Sequence, residues 1–584
     1  MILRPTIAVL LAAAFTSLAQ EPAPPAARPG GFNIAGSGES GGTHAELFPC
    51  LHRAGVNMVR QFPEWAGIQP EQGKWDWSAS DALAASARAN GIQIAGVFAF
   101  LTPWASSAPN DPDHGARTRT FPIKNIQYWK DFVRETASRY RDDIKYWEVY
   151  NEFNATTFAR NAKPSDYAQL VVESDTEVKK VNPGAKIGIG CADVDLSFLE
   201  RVIRSGAAGH FDFIAVHPYS LIDAALSGRE SVFLGLGTNL RKLLKDTGQR
   251  GDIELWVTEI GTTATNDPAS EARQAAALVK AYSLCFAQGI NKVFWFEGRG
   301  PNYGKGSFGI LRQDWSERPA FLALKTLSSL LKAEPEFLGW LDLAPGTYGF
   351  VFGGQKEPVL VVWAAKDTSV TFGGPVTVTG LDGAARQVAA GGPVQLSMSP
   401  VFVTGLPAQL LQTARANTGK PFPWIRDFSD LEVATIQMGA SNVENGVVQI
   451  AGENGDHNTV VELVDGVYAR RTDKANRNNY MNFDVSDSYA SLGDKDLEIT
   501  IVARRSNPAK PAGFTLCYES LTGYHESKQP AVLGAQSEWQ EFVFPLTDAN
   551  FANSWGWNFR LDVSGSASDV QVREVRVKRL SPKR

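Results

Sequence analysis

The stretch KYWEVYNE (145–152) carries Tyr146, Trp147, Val149 and Tyr150 around a single Glu148 and ends in an Asn–Glu pair. A strand with one wet face would alternate apolar and polar residues. A near-continuous apolar run reads instead as a strand covered on both faces. Seven more runs of this kind flank it: FNIAGSG (32–38), GVNMVRQF (55–62), IQIAGVFAF (92–100), KIGIGCAD (186–193), FDFIAVHPY (211–219), IELWVTEIG (253–261) and KVFWFEGRG (292–300). Amphipathic stretches lie between them, such as SASDALAASARANG (78–91), with Asp81 in the first turn and Gly91 as a stop. Eight strand–helix units over residues 31–333 predict an α/β fold, a (β/α)8 TIM barrel; a doubly wound open sheet is the rival.

A barrel of this kind performs its chemistry at the C-terminal ends of the strands. The polar residues expected there are Arg60, Asn151, Glu152, His217, Tyr219, Glu259 and Glu297. Glu152 and Glu259 stand far apart in the chain, yet closure of the barrel brings both strand tips to one rim. A carboxylate at the end of an apolar strand is costly to bury. Two across one cavity form the pair used for glycosidic cleavage, one attacking the anomeric carbon and the other protonating the leaving oxygen.

With VRQF on strand two and HPY on strand six, the VYNEFN and VTEIG motifs resemble the clan A glycoside hydrolases. Within that clan the chain is most similar to family 39, the β-xylosidase and α-L-iduronidase relatives. The stretch WAGIQPEQGKWDWSASD (65–81) and a following β-unit that ends SPVFVTG (399–405) carry this closer likeness. The resemblance covers residues 31–408. It implies Glu152 as acid/base, Glu259 as nucleophile and retention of anomeric configuration. It further implies Asn151 on the sugar 2-hydroxyl, Arg60 and Tyr219 beside Glu259, His217 near the same floor, and Trp295 as a platform under the sugar. Trp104, after strand three, could build a subsite wall. Glu297 departs from a two-carboxylate site, and could bind a hydroxyl or a charged substituent or pair with Arg299.

Beyond the barrel the reading turns all-β. Residues 340–412 form a small accessory domain, with runs such as VLVVWAAK (359–366) and VTVTGL (376–381). A Pro-marked linker, ANTGKPFPW (416–424), leads to residues 425–584, where LEITIVARR (497–505) and VQVREVRVKRL (570–580) alternate as half-exposed antiparallel strands. This is the pattern of a β-sandwich or jelly roll, read either as a carbohydrate-binding module or as a structural domain, and its turn-placed Trp555 and Trp557 in NSWGWNF (553–559) could meet a glycan.

Residues 1–19 read as a signal peptide, with Arg4, the apolar core TIAVLLAAAF (6–15) and the small-x-small site Ser17-Leu18-Ala19. A Pro-rich tether, 20–30, follows, so a secreted or periplasmic location is expected. The balance of 57 basic against 62 acidic residues argues against nucleic acid or a membrane as partner. Four scattered cysteines make no CxxC, although a Cys191–Cys285 bridge stays open. With seven His and no HxH pair at a strand end, no metal and no cofactor are expected. The leading expectation is a secreted retaining glycosidase, β-xylosidase-like, acting on a plant or microbial oligo- or polysaccharide. The alternatives are a family 5-like endo-β-glycanase on glucan or mannan, and a non-catalytic glycan-binding protein.

Overall fold

The computed structural model describes residues 30–36, 43–61, 63–108, 119–304, 306–450, 456–493, 496–535 and 538–580. The expected signal peptide and nearly all of the tether lie outside the described residues. Eight parallel strands close into a barrel in chain order: β1 Phe32–Ala35, β2 Met58–Arg60, β3 Gln93–Phe98, β4 Ile144–Val149, β5 Lys186–Ala192, β6 Phe213–His217, β7 Glu254–Ile260 and β8 Lys292–Phe296. Closure comes from β8 pairing with β1, Trp295 opposite Ile34. The stretch GSGESG (36–41) has the spacing of a dinucleotide loop, but it follows a strand of a closed barrel and not of an open sheet.

Alternate residues of each strand face inward, and these fill the lower barrel: Ala35, Met58, Ala95, Phe213, Ala215, Trp256 and Phe294 form one buried cluster. Trp256 stacks on Phe213 at 4.0 Å between ring centroids. The other face of each strand packs against the surrounding helices, for example Pro164–Val181 and Pro268–Ala287. In β7 the pairing with β8 slips between Val257 and Ile260, where β7 advances three residues and β8 two. This extra residue is a bulge, which turns the side chains beyond it.

The second unit is an antiparallel sheet of six strands from Phe337–Leu341 to Val401–Thr404, beside a two-stranded ribbon. The helix Ala408–Asn417 lies on its first strand, at a place where only glycine fits. Gly339 has φ 123°, and a Cβ there would sit 1.8 Å from the Ala414 carbonyl oxygen. The segment expected as a linker is not free. Phe422 and Trp424 pack on the sheet, Trp424 lying 5.0 Å from Tyr348 and 5.2 Å from Phe350. The third unit places two antiparallel sheets face to face over a core that includes Phe483, Ile499, Leu516, Phe559 and Val575.

Polar contacts tie the units together. Lys280 and Glu230, fully buried on the barrel helices, pair at 2.7 Å, and the Trp363 indole of the second unit donates to the same Glu230 oxygen at 2.8 Å. The sandwich meets the barrel through Asn550 Nδ2 on Ser197 Oγ at 2.7 Å and Asn239 Nδ2 on Asp487 Oδ2 at 2.8 Å. All four cysteines are free thiols, so Cys191 and Cys285 do not bridge; both are buried, as apolar strand and helix positions dictate. Among the described residues, no helix is long and apolar enough to cross a membrane.

Candidate active site

Above the apolar barrel floor the inward positions turn polar, and one guanidinium organises them. Arg60 ends β2. Its Nε donates to Glu148 Oε2 at 2.6 Å and its Nη2 to Glu148 Oε1 at 3.2 Å. The same Nη2 reaches Asn151 Oδ1 at 2.9 Å, while Nη1 reaches Glu259 Oε1 at 2.8 Å. Burial disfavours the Arg60 charge, but Glu148 and then Glu259 outweigh it, so its pKa lies above the ordinary arginine value. The fork geometry makes the contact to Glu148 bidentate, which fixes the plane of the guanidinium.

Glu259 receives a second donor, the Tyr219 hydroxyl, at 3.0 Å on Oε2. Burial and then the Glu259 charge push the Tyr219 hydroxyl well above its usual pKa, so it stays protonated and donates. The bulge in β7 explains why both Thr258 and Glu259 reach this interior from adjacent positions. Thr258 faces His217 Nε2 at 3.1 Å and Glu148 Oε1 at 3.4 Å.

Glu152 lies just past β4, on a turn where Tyr150 and Glu152 have φ of 63° and 49°. Non-glycine residues in this region carry strain of order 1–3 kcal/mol each, held in place by surrounding contacts. Here the contact is His217, whose Nδ1 lies 2.7 Å from Glu152 Oε1 and 3.7 Å from Glu259 Oε2. Burial opposes the imidazolium, but the charge of Glu259 and the bond to Glu152 raise the His217 pKa. One oxygen of Glu152, one of Glu259 and a ring nitrogen of His217 lie within 4.8 Å of one another. Such a trio could hold a cation. The Glu259 oxygens, however, already accept from Arg60 and Tyr219, and the Arg60 charge repels a second cation.

These groups border a cavity of about 760 Å³, within the size range of small-molecule sites. Arg60, Asn151, Glu152 and Glu259 meet it, and Phe100, Phe158, Phe296 and Tyr303 give it aromatic walls. The Glu152 and Glu259 side chains keep 15% and 14% of their surface open, against 3% for Glu148. The two reactive candidates therefore face the cavity, and Glu148 lies beneath it.

The structure thus brings Arg60, Asn151, Glu152, His217, Tyr219 and Glu259 together, and sets three expected site residues elsewhere. Trp295 is fully buried on the outer face of β8, its indole 3.3 Å from the Phe308 carbonyl oxygen, and cannot lie under a sugar. The next residue, Phe296, faces the cavity instead. Trp104 is half-buried, donates to the Gln69 carbonyl at 2.9 Å, meets Trp65 edge-on, and is not among the residues lining the cavity. Glu297 is buried behind the wall and accepts from the Tyr303 hydroxyl at 3.0 Å. Arg299 lies over Trp315 at 4.3 Å and donates to the Gln313 carbonyl. Sequence reasoning missed Glu148, Thr258, Phe296 and Tyr303. Glu148 had a legible signal, being two residues along from inward Tyr146 in an otherwise apolar strand.

No protein-family model matches the chain. Over 95 residues it is 30% identical to endo-1,4-β-xylanase C of Paenibacillus barcinonensis, covering 16% of this chain and 8% of that protein. Over 138 residues it is 26% identical to the thermostable celloxylanase of Thermoclostridium stercorarium, covering 21% of this chain and 34% of that one. The chain therefore spans well under two thirds of these curated relatives. Among solved structures, a family 39 glycoside hydrolase from the gut symbiont Bacteroides cellulosilyticus WH2 superposes with a TM-score of 0.53 at 21% identity, over 64% of this chain and 81% of that one. The chain thus shares the fold of that family 39 structure.

Proposed function

We propose that the protein is an exported, retaining glycoside hydrolase, β-xylosidase-like, that removes sugar from a xylose-containing oligo- or polysaccharide. The observation that carries this reading is the facing pair of Glu152 and Glu259 on one cavity, with oxygens within 4.8 Å. Carboxyl groups about 5–5.5 Å apart leave room for a covalent intermediate and none for an intervening water, which is the retaining geometry. The xylanase relatives and the apolar signal-like segment at residues 6–15 support the choice of sugar and of compartment.

In the first step a Glu259 oxygen forms a bond to the anomeric carbon while the glycosidic C–O bond breaks. Glu152 gives its proton to the departing oxygen. Arg60 and Tyr219 hold Glu259 aimed, one on each oxygen, and Asn151, itself fixed by Arg60, is placed for the 2-hydroxyl. The bond from His217 occupies Glu152 Oε1 and leaves Oε2 for the proton. In the second step Glu152 takes a proton from water, the water oxygen bonds to the anomeric carbon, and the ester to Glu259 breaks with configuration restored.

Turnover of β-xylosyl fluoride by the full chain, with the product followed by NMR, tests this. We expect the β-anomer of xylose to appear first. Glu152→Ala with added azide should give a β-xylosyl azide, and its defect on an unactivated xyloside should be about 10²–10⁴-fold, the usual worth of general acid–base help. An α-anomer as first product overturns retention; binding without any turnover favours a glycan-binding protein.

A further inference from the structure

The turn NSWGWNF of the third unit is built around a buried carboxylate. Glu519 accepts from the backbone N–H groups of Ala552, Asn553 and Ser554 at 2.7–2.9 Å, and from Asn558 Nδ2 at 2.9 Å. Its two tryptophans are used differently. Trp557 is sealed under Tyr524 at 4.3 Å and Arg560 at 4.8 Å. Trp555 keeps 41% of its surface open.

This turn lies on the barrel rim, next to the residues that hold the candidate pair. The Ser554 carbonyl accepts from Val194 N, just after β5, at 3.2 Å. Gly556, at φ 77°, sits so close to Ser220 that a Cβ would fall 2.7 Å from the Ser220 Cβ. Ser220 donates to Asp193 at 2.7 Å, the Asp193 carbonyl accepts from His217 N, and Tyr219, the neighbour of Ser220, donates to Glu259. The cavity, in contrast, takes its aromatic walls from the ends of β3, β4 and β8.

A proton donor at Glu152 must stand on the side where the leaving group departs; next to β4 in the barrel comes β5, and this turn meets the chain just past β5 at Val194 and past β6 at Ser220. We propose that Trp555, delivered from the C-terminal sandwich, is the platform on which the leaving sugar of a disaccharide or longer chain stacks. The apolar C–H face of a pyranose matches a half-open indole, and the four donors on Glu519 fix the backbone of the turn that carries it. This rests on the glycosidase reading of the barrel site and adds the leaving-group side to it.

The test compares kcat/KM for xylobiose, which has a leaving sugar, with kcat/KM for β-xylosyl fluoride, which has none. In the full chain, Trp555→Ala should lower the xylobiose-to-fluoride ratio about three- to tenfold, mainly through KM, and Trp555→Phe should restore most of it. A ratio unchanged in Trp555→Ala, or both substrates falling in parallel, overturns the inference while leaving the barrel reading intact. Failure of the unmodified protein to turn over β-xylosyl fluoride overturns the barrel reading and takes the platform with it.

Discussion

Glu259 of the barrel and Glu519 of the sandwich are both carboxylates taken largely out of water, and they are held in opposite ways. Glu259 has a guanidinium on one oxygen, a hydroxyl on the other, and a face open to a cavity. Glu519 is 2% exposed, and its oxygens are taken up by three backbone N–H groups and an amide. Burial raises the Glu519 pKa despite those bonds. A carboxylate meant for chemistry keeps a nearby positive charge and a lone pair directed at empty space. One meant for architecture gives its acceptor capacity to the chain.

The most severe way to break this contrast is to remove the cation. Arg60→Met leaves Glu148 and Glu259 facing each other without compensation, so we expect about 3–5 kcal/mol of lost stability in urea unfolding and loss of glycoside turnover. Near-normal stability with turnover intact would mean that Arg60 is not the organiser. Next in size is Glu519→Ala, which strands backbone amides at about 1–3 kcal/mol for a buried one. Its loss should appear in the transition that reports the sandwich, seen by hydrogen exchange at residues 552–558, before that of the barrel strands. Exchange unchanged at those amides would show that the turn needs no central acceptor.

A pH titration sharpens the comparison at the seam between the two regions. Burial lifts Asp193 on the barrel side and Asp484 on the sandwich side to about 8. The folded chain keeps protons there that the unfolded chain has released above pH ~4. The stabilisation is therefore complete below about pH 4 and is lost as pH rises through 8. The melting temperature should decline from about pH 4 to about pH 8, and less steeply in Asp193→Asn; a flat profile would refute protonated carboxyls at the seam. The smallest effect belongs to Trp295→Phe, with about 1–2 kcal/mol lost from the outer core and KM within about twofold. Phe296→Ala should raise KM more than Trp295→Phe does, and the reverse order would restore Trp295 to the site.

The barrel and its two facing glutamates were legible because they are written in runs: apolar strands, with Glu152 and Glu259 at the ends of two of them. What could not be read follows from the same runs. When VFWF (293–296) is apolar at every position, nothing in the sequence says which face each side chain takes, so Trp295 and not Phe296 looked like the platform. The bulge that turns Glu259 inward beside Thr258 shows only in the pairing of β7 with β8. Glu148 was visible but unplaced, since its meaning depends on Arg60 reaching it across the barrel, 88 positions away in sequence. The linker was misread for a different reason. Proline and glycine marked a break in regular structure, but they carry no information on whether Phe422 and Trp424 between them find a surface to pack against.

That packing has a consequence for inheritance. Proline-rich joints are where modular proteins usually exchange parts, because a cut there disturbs neither neighbour. A crossover within residues 416–424 of this chain would strip Phe422 and Trp424 from Tyr348, Phe350 and Trp340, and leave an aromatic patch uncovered on the accessory sheet. A descendant that traded only its sandwich would begin with an aggregation liability, so the three units should travel through evolution as one.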